Sequence, residues 1–162
     1  GIPADAAKVL SKLLGVPAAV ENGLNFPLRI WGEMKVGVYP SGGPMYKRHL
    51  DKYDYEENNF RSLTCILYTN PDWMCTGGKL RVYLPVAGSP LIKRGSGMHT
   101  IDFEPIANRL VCFWSRTVFH EVLPSREGTP PRFAVSIWAQ SGGSWEARGF
   151  KSRVASEVQH LQ

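Results

Sequence analysis

The chain has 162 residues and a formal charge of +5, with 43% hydrophobic and 20% charged side chains. That length suits one domain with an apolar core, spanning 1–162, and the hydrophobic content excludes disorder as the main state. No apolar run reaches the roughly 18–20 residues of a membrane span. The opening GIPADAAKVL lacks the basic flank and apolar stretch of a signal peptide, so the cytoplasm, with the nucleus beside it, is the expected location.

Residues 4–14 (ADAAKVLSKLL) place Ala6, Val9, Leu10, Leu13 and Leu14 at helical spacing. The expected element is an amphipathic helix of about three turns closed by Gly15 and Pro17. The period then changes to short β-type runs between Gly, Pro and Asn: 33–39, 62–69, 79–84, 100–104, 109–114, 119–123 and 132–139. Seven such runs predict a mainly β domain, a sandwich or barrel. After Gly143 a second helix is expected, with Val154, Val158 and Leu161 on one side.

Alternation within the runs assigns faces. In 132–139 it groups Arg132, Ala134, Ser136 and Trp138 opposite Phe133, Val135 and Ile137. In 33–39, Lys35, Gly37 and Tyr39 oppose Met34, Val36 and Val38. A mixed polar and aromatic face is usually solvated; inside a barrel it lines a ligand cavity.

Chemistry concentrates on His49-Leu50-Asp51, where two side chains two residues apart on a strand would share a face. His120 follows in FHEVL, and Arg132 lies further along. Two imidazoles and one carboxylate with open positions form the ligand set of non-haem Fe(II) oxygenases. A planar guanidinium suits a distal carboxylate. Alone, His-x-Asp is most often a surface pair, and the further His and Arg raise it above that background.

The stretches VGVYPSGGPMYKRHLD (36–51), RSLTCILYTNPDW (61–73), GGKLRVYLP (77–85), IDFEPIANRLVCFWS (101–115), HEVLPS (120–125) and PRFAVSIW (131–138) run in order through most of the chain. In them the chain resembles the 2-oxoglutarate and Fe(II)-dependent prolyl 4-hydroxylases, and among these the hypoxia-inducible-factor prolyl hydroxylases and their Skp-type cytosolic relatives. The resemblance implies a double-stranded β-helix, or jelly roll, with iron at His49, Asp51 and His120. It implies that Arg132, Tyr39 and Tyr68, with Ser136 beside them, bind 2-oxoglutarate, and that Arg61 and Trp138 lie near the substrate entrance. The implied reaction hydroxylates a proline of a cytosolic protein, in oxygen sensing, using Fe(II), 2-oxoglutarate, O2 and ascorbate. The implied partner is a proline-containing protein, either like the hypoxia-inducible factor or like a Skp-type ubiquitin-ligase adaptor. The family's catalytic domains carry more support before the first ligand His, so a leading segment is expected to be missing here.

Departures from the family pattern are local. The acidic loop KYDYEENNF and the interval from His120 to Arg132 are longer than in the hypoxia enzymes, which bears on peptide choice. No Lys occurs between His120 and Gly149, where collagen-type enzymes use one to hold the cosubstrate. The alternatives are an oxygenase acting on another residue or a free small molecule, and a non-catalytic β-barrel binding module.

The remaining features have plain readings. Three cysteines without C-x-x-C spacing outline no disulfide framework, which fits a reducing compartment. Cys65 and Cys112, within β-type runs, are expected to be small buried residues. His99 and His160 are read as surface histidines, and Trp31, Trp73, Trp114 and Trp145 as packing groups. The basic residues are spread along the chain, which describes a solvated surface rather than a nucleic-acid footprint.

Overall fold

The computed structural model describes residues 4–42, 46–71, 73, 77–85 and 98–141. A helix, α1 (Ala4–Leu24), precedes β1 (Leu28–Tyr39), β2 (Leu63–Tyr68), β3 (Leu80–Pro85), β4 (Met98–Phe103), β5 (Leu110–Trp114), β6 (Phe119–Val122) and β7 (Arg132–Ser141). Each β-type run of the sequence coincides with one strand. The strands form two antiparallel sheets, β1-β7-β2-β5 and β4-β3-β6.

Strand alternation divides the apolar residues between two clusters. Ile66 and Tyr68 of β2, Val111 and Phe113 of β5, Ala134 of β7, and Leu80 and Val82 of β3 pack together between the sheets. The opposite side of the four-stranded sheet gathers Leu28, Leu63, Cys65, Ile137 and Ala139 around Leu13 of α1.

The helix departs from expectation by running past Gly15 and Pro17 to Leu24. An internal Pro forfeits a backbone hydrogen bond at a cost of about 3 kcal/mol. Here Leu13, Val16 and Val20 pack on the sheet side, and Pro17 is fully buried, so burial of that stripe offsets the defect. The stop signal lies later. Asn25 takes a left-handed φ of 48°, the Phe26 N–H donates to the Glu21 carbonyl at 3.3 Å, and Pro27 bars continuation. Val9 and Leu14, expected on the apolar side, are exposed.

Cys65 is buried as expected, whereas Cys112, on an edge strand, is exposed. Trp114 is half-buried and meets Phe26 edge-on at 5.4 Å. Trp73 is half-buried and His99 exposed. The expected C-terminal helix, with Trp145 and His160, lies outside the described residues, as does the Trp31 side chain. Among the described residues no helix is long and apolar enough to cross a membrane.

Candidate active site

His49 and Asp51 do not sit on a strand, as their spacing suggested, but in the irregular segment between β1 and β2. His49 joins β6 through a one-residue bridge: its N–H donates to the His120 carbonyl at 2.9 Å, and the His120 N–H returns the bond at 3.0 Å. This pairing brings two histidines far apart in sequence ring to ring, with centroids 4.3 Å apart.

Both imidazoles are oriented from behind. His49 Nδ1 lies 2.7 Å from the Lys47 carbonyl and His120 Nδ1 lies 3.2 Å from that of Val118. A proton on each Nδ1 leaves Nε2 as the free donor atom. These atoms converge on Asp51 Oδ1, at 3.5 Å from His49 Nε2 and 3.7 Å from His120 Nε2. The three ligand atoms lie within 4.8 Å of one another, close enough for one ion to be shared.

The other carboxylate oxygen is occupied. Thr64 Oγ1 donates to Asp51 Oδ2 at 2.6 Å, and Trp138 Nε1 donates to it at 3.0 Å. Thr64 also meets Ser115 Oγ at 2.8 Å. Asp51 therefore offers a single oxygen toward the histidines. Burial works against its charge, but the hydrogen bond from His49, the charge of His120 and the Thr64 and Trp138 donors outweigh it and hold the carboxyl well below the usual range. His49 is raised, chiefly because its protonated ring gains an Nε2 hydrogen bond to Asp51, while burial lowers His120.

Arg132, at the start of β7, is 3% exposed. Its guanidinium donates to Tyr68 Oη at 3.2 Å and packs against the rings of Tyr39 and Tyr68, 4.8 and 4.9 Å from their centroids. Among the described residues it has no carboxylate within ion-pair reach, and its buried Nε has no hydrogen-bond partner. A buried cation without a counter-charge is costly unless an anion joins it. Burial raises the Tyr68 phenol, and the neighbouring Arg132 partly opposes that shift, so the hydroxyl stays protonated as a donor.

The structure thus brings together His49, Asp51 and His120, and beside them Arg132, Tyr39 and Tyr68. Ser136 is half-buried on the same face of β7, in register with Lys35 and Ile66. Arg61 and Trp138 also meet, with the guanidinium 4.0 Å from the indole ring centre. Trp138 lies deeper than a residue at an entrance would, being 6% exposed with its N–H on Asp51.

Sequence reasoning missed several supports. Thr64, within the apolar strand β2, and Ser115, just past the end of β5, are buried polar residues, a pattern that signals a hydrogen-bonding task. Asn70 clamps the start of β7: its side-chain amide donates to the Phe133 carbonyl at 2.9 Å and accepts the Phe133 N–H at 2.5 Å. That double bond to the residue beside Arg132 fixes where the guanidinium begins. Lys35 Nζ donates to Tyr46 Oη at 2.7 Å, and Tyr46 stands edge-on to Tyr39. The acidic loop is tied down as well, with Asn59 bonded to the Asp51 carbonyl at 2.9 Å and Arg116 paired with Asp54.

The profile of the 2OG-Fe(II) oxygenase superfamily matches residues 34–140. The hypoxia-inducible factor prolyl hydroxylase of Caenorhabditis elegans is 37% identical over 106 residues, which are 64% of this chain and 12% of that protein. The prolyl hydroxylase EGLN3 of Mus musculus is 37% identical over 106 residues, 64% of this chain and 38% of its own length. The chain spans well under half the length of these curated relatives. Among solved structures, a Pseudomonas putida prolyl-4-hydroxylase superposes with a TM-score of 0.66 at 30% identity, over 86% of this chain and 69% of that one. A Trichoplax adhaerens prolyl hydroxylase, in complex with a hypoxia inducible factor oxygen degradation domain peptide fragment, gives 0.60 at 30% identity, over 83% and 56%. The fold shared with these neighbours is the jelly roll.

Proposed function

The chain belongs to the 2OG-Fe(II) oxygenase superfamily, and from that premise we propose that it hydroxylates a proline of a cytosolic protein at the expense of O2 and 2-oxoglutarate. The observation that carries this reading is the pairing of a two-histidine, one-carboxylate cluster with a buried guanidinium that lacks an anionic partner.

The donor set fits Fe(II): two neutral imidazoles and one carboxylate oxygen leave open positions for other ligands. When bound, the iron supplies the oxidising chemistry by which O2 and 2-oxoglutarate yield succinate, CO2 and a hydroxylated carbon. The chain's own residues supply placement. His49 and His120 present Nε2 because carbonyls hold Nδ1, and Asp51 presents Oδ1 because Thr64 and Trp138 hold Oδ2. Arg132 takes the distal carboxylate of 2-oxoglutarate, its open Nε becoming satisfied, with the Tyr68 hydroxyl as second donor and the Tyr39 ring as a wall. Ser136 shares the Arg132 face of β7, and Arg61, stacked on Trp138, borders the approach for the peptide. No side chain is assigned as a general base, since placement and shielding are the protein's share.

Similarity to hydroxylases of the hypoxia-inducible factor supports a substrate of that kind and an oxygen-sensing role in the cytoplasm, with an adaptor of the Skp type as the alternative substrate to test. Ascorbate would serve as reductant. The test is succinate formation with proline-containing peptides, read together with a +16 mass shift on proline. Arg132→Lys should raise the KM for 2-oxoglutarate about 10-fold or more, with a smaller effect on kcat, because the fork geometry is lost. Turnover with free amino acids alone would overturn the proline reading. Absence of iron-dependent succinate formation with every peptide and small molecule would overturn the enzyme reading.

A further inference from the structure

Cys65 and Cys112 are direct cross-strand partners in the β2–β5 ladder. The backbone bonds from Tyr68 N–H to the Arg109 carbonyl and from Ser115 N–H to that of Ser62 identify the hydrogen-bonded pairs of this ladder. By alternation Cys65 and Cys112 occupy a non-hydrogen-bonded pair, where opposed Cα atoms lie about 4.5 Å apart and side chains approach most closely. That separation falls within the range a disulfide spans, about 4.4–6.8 Å. The two side chains point to the same side of the sheet and interact directly.

The partners differ in access. Cys65, on a strand paired on both sides, is 0% exposed, whereas Cys112 is exposed on β5, at the sheet edge. The contact between the two thiols lowers the Cys112 pKa against the opposing effect of burial, and the same contact, with burial, raises that of Cys65. An accessible, activated thiol next to a protected one is the arrangement of an attacking and a resolving cysteine.

We propose that Cys112 and Cys65 form a reversible disulfide when the protein meets hydrogen peroxide. The Cys112 thiolate attacks one peroxide oxygen. An S–O bond forms, the O–O bond breaks, and hydroxide leaves to take up the thiol proton as water. Cys65 sulfur then attacks the sulfenic sulfur. The S–S bond forms, the S–O bond breaks, and a second water departs with the Cys65 proton. Two thiols are oxidised and one peroxide is reduced, and a dithiol reductant reverses the change. The bond forms directly behind the metal-binding cluster. Thr64, next to Cys65, holds Asp51, and Phe113, next to Cys112, packs 4.6 Å from the His120 ring.

The test uses the full chain carrying Cys75→Ser, treated with hydrogen peroxide in a chelator that keeps the oxidant from adventitious iron. Intact mass should fall by 2 Da, tryptic digestion should yield one peptide pair linked through Cys65 and Cys112, and dithiothreitol should restore both thiols. Cys65→Ser should trap Cys112 as a sulfenic acid captured by dimedone, and Cys112→Ser should abolish the 2 Da loss. Progressive gain of 16 and 32 Da on Cys112 without a linked peptide would overturn the proposal. So would equal labelling of Cys65 in the Cys112→Ser chain. If Cys65→Ser fails to fold, the Cys112→Ser comparison still decides.

Discussion

Replacing Thr64 by Val keeps its shape and removes the hydroxyl that donates to Asp51 Oδ2 at 2.6 Å. The acceptor is a carboxylate whose side chain is 10% exposed, so water cannot readily take the donor's place. A hydrogen bond to such a charged group contributes about 1.5–3 kcal/mol, and 1.4 kcal/mol is tenfold in an equilibrium constant. Part of that loss falls on the metal-free protein, since Trp138 still holds the same oxygen at 3.0 Å. Outer supports of metal ligands are worth about 10–100-fold in affinity, and the lower end is expected here. The assay is anaerobic Fe(II) titration of the wild type, Thr64→Val and Thr64→Ser. The serine variant restores the donor and should return most of the affinity. Ser115→Ala serves as a control, because it removes the 2.8 Å contact to Thr64 without touching Asp51. Iron binding by Thr64→Val within about threefold of wild type would refute the reasoning, since the hydroxyl would then not be orienting the ligand.

Three further predictions concern other links between sequence and site. A Cβ on Gly37 would lie 2.7 Å from the Tyr39 ring, so Gly37→Ala should displace that wall of the Arg132 pocket. It should raise the KM for 2-oxoglutarate by about 3-fold or more and lower unfolding free energy by about 1–3 kcal/mol. Leu13→Ala should lower stability in urea by about 2–4 kcal/mol, and Leu14→Ala by no more than about 0.5, because only Leu13 is buried against the sheet. Equal effects would mean that the helix docks on another face. Asp102 is held below its ordinary pKa, first by the bidentate Arg81 hydrogen bonds at 2.7 and 2.9 Å. Its folded pKa being depressed, its contribution is present above the unfolded value near 3.8 and is lost as pH falls through the folded one. Asp102→Asn should therefore cost no more than about 1 kcal/mol at neutral pH, as expected for a partly solvated pair, and the difference should shrink from about pH 4 downward in denaturation curves.

The strands were legible because short β-type runs are bounded by Gly, Pro or Asn, and because alternation within β7 alone places Arg132, Ala134, Ser136 and Trp138 on one face. Helix length was misread for an identifiable reason. Pro17 is a breaker in isolation, yet local propensity yields when Leu13, Val16 and Val20 bury a continuous stripe against the sheet. Residue types and spacing made His49, Asp51 and His120 candidate ligands, and the family resemblance of the surrounding stretches selected them. How they meet could not, because the His49–His120 bridge is a long-range pairing that no local pattern encodes. Thr64 shows the same limit. Its hydroxyl looks ordinary in SLTCILYT until the fold sets Asp51 opposite it. The apolar run around Cys112 predicts burial, but among the described residues β5 lies at the edge of its sheet, and edge position belongs to topology.

β7 carries Arg132 at its beginning and Trp138 near its end, on one face, with only Phe133, Val135 and Ile137 turned the other way between them. The placement of the two anchors therefore depends on one fixed residue count. Loss or gain of one residue between them would rotate one anchor out of the interior while sparing the other, separating the proposed cosubstrate capture from support of Asp51. Point substitutions at Phe133 or Val135 have no such reach. Length variation should therefore collect in the turn before β7 and spare the stretch from 132 to 138.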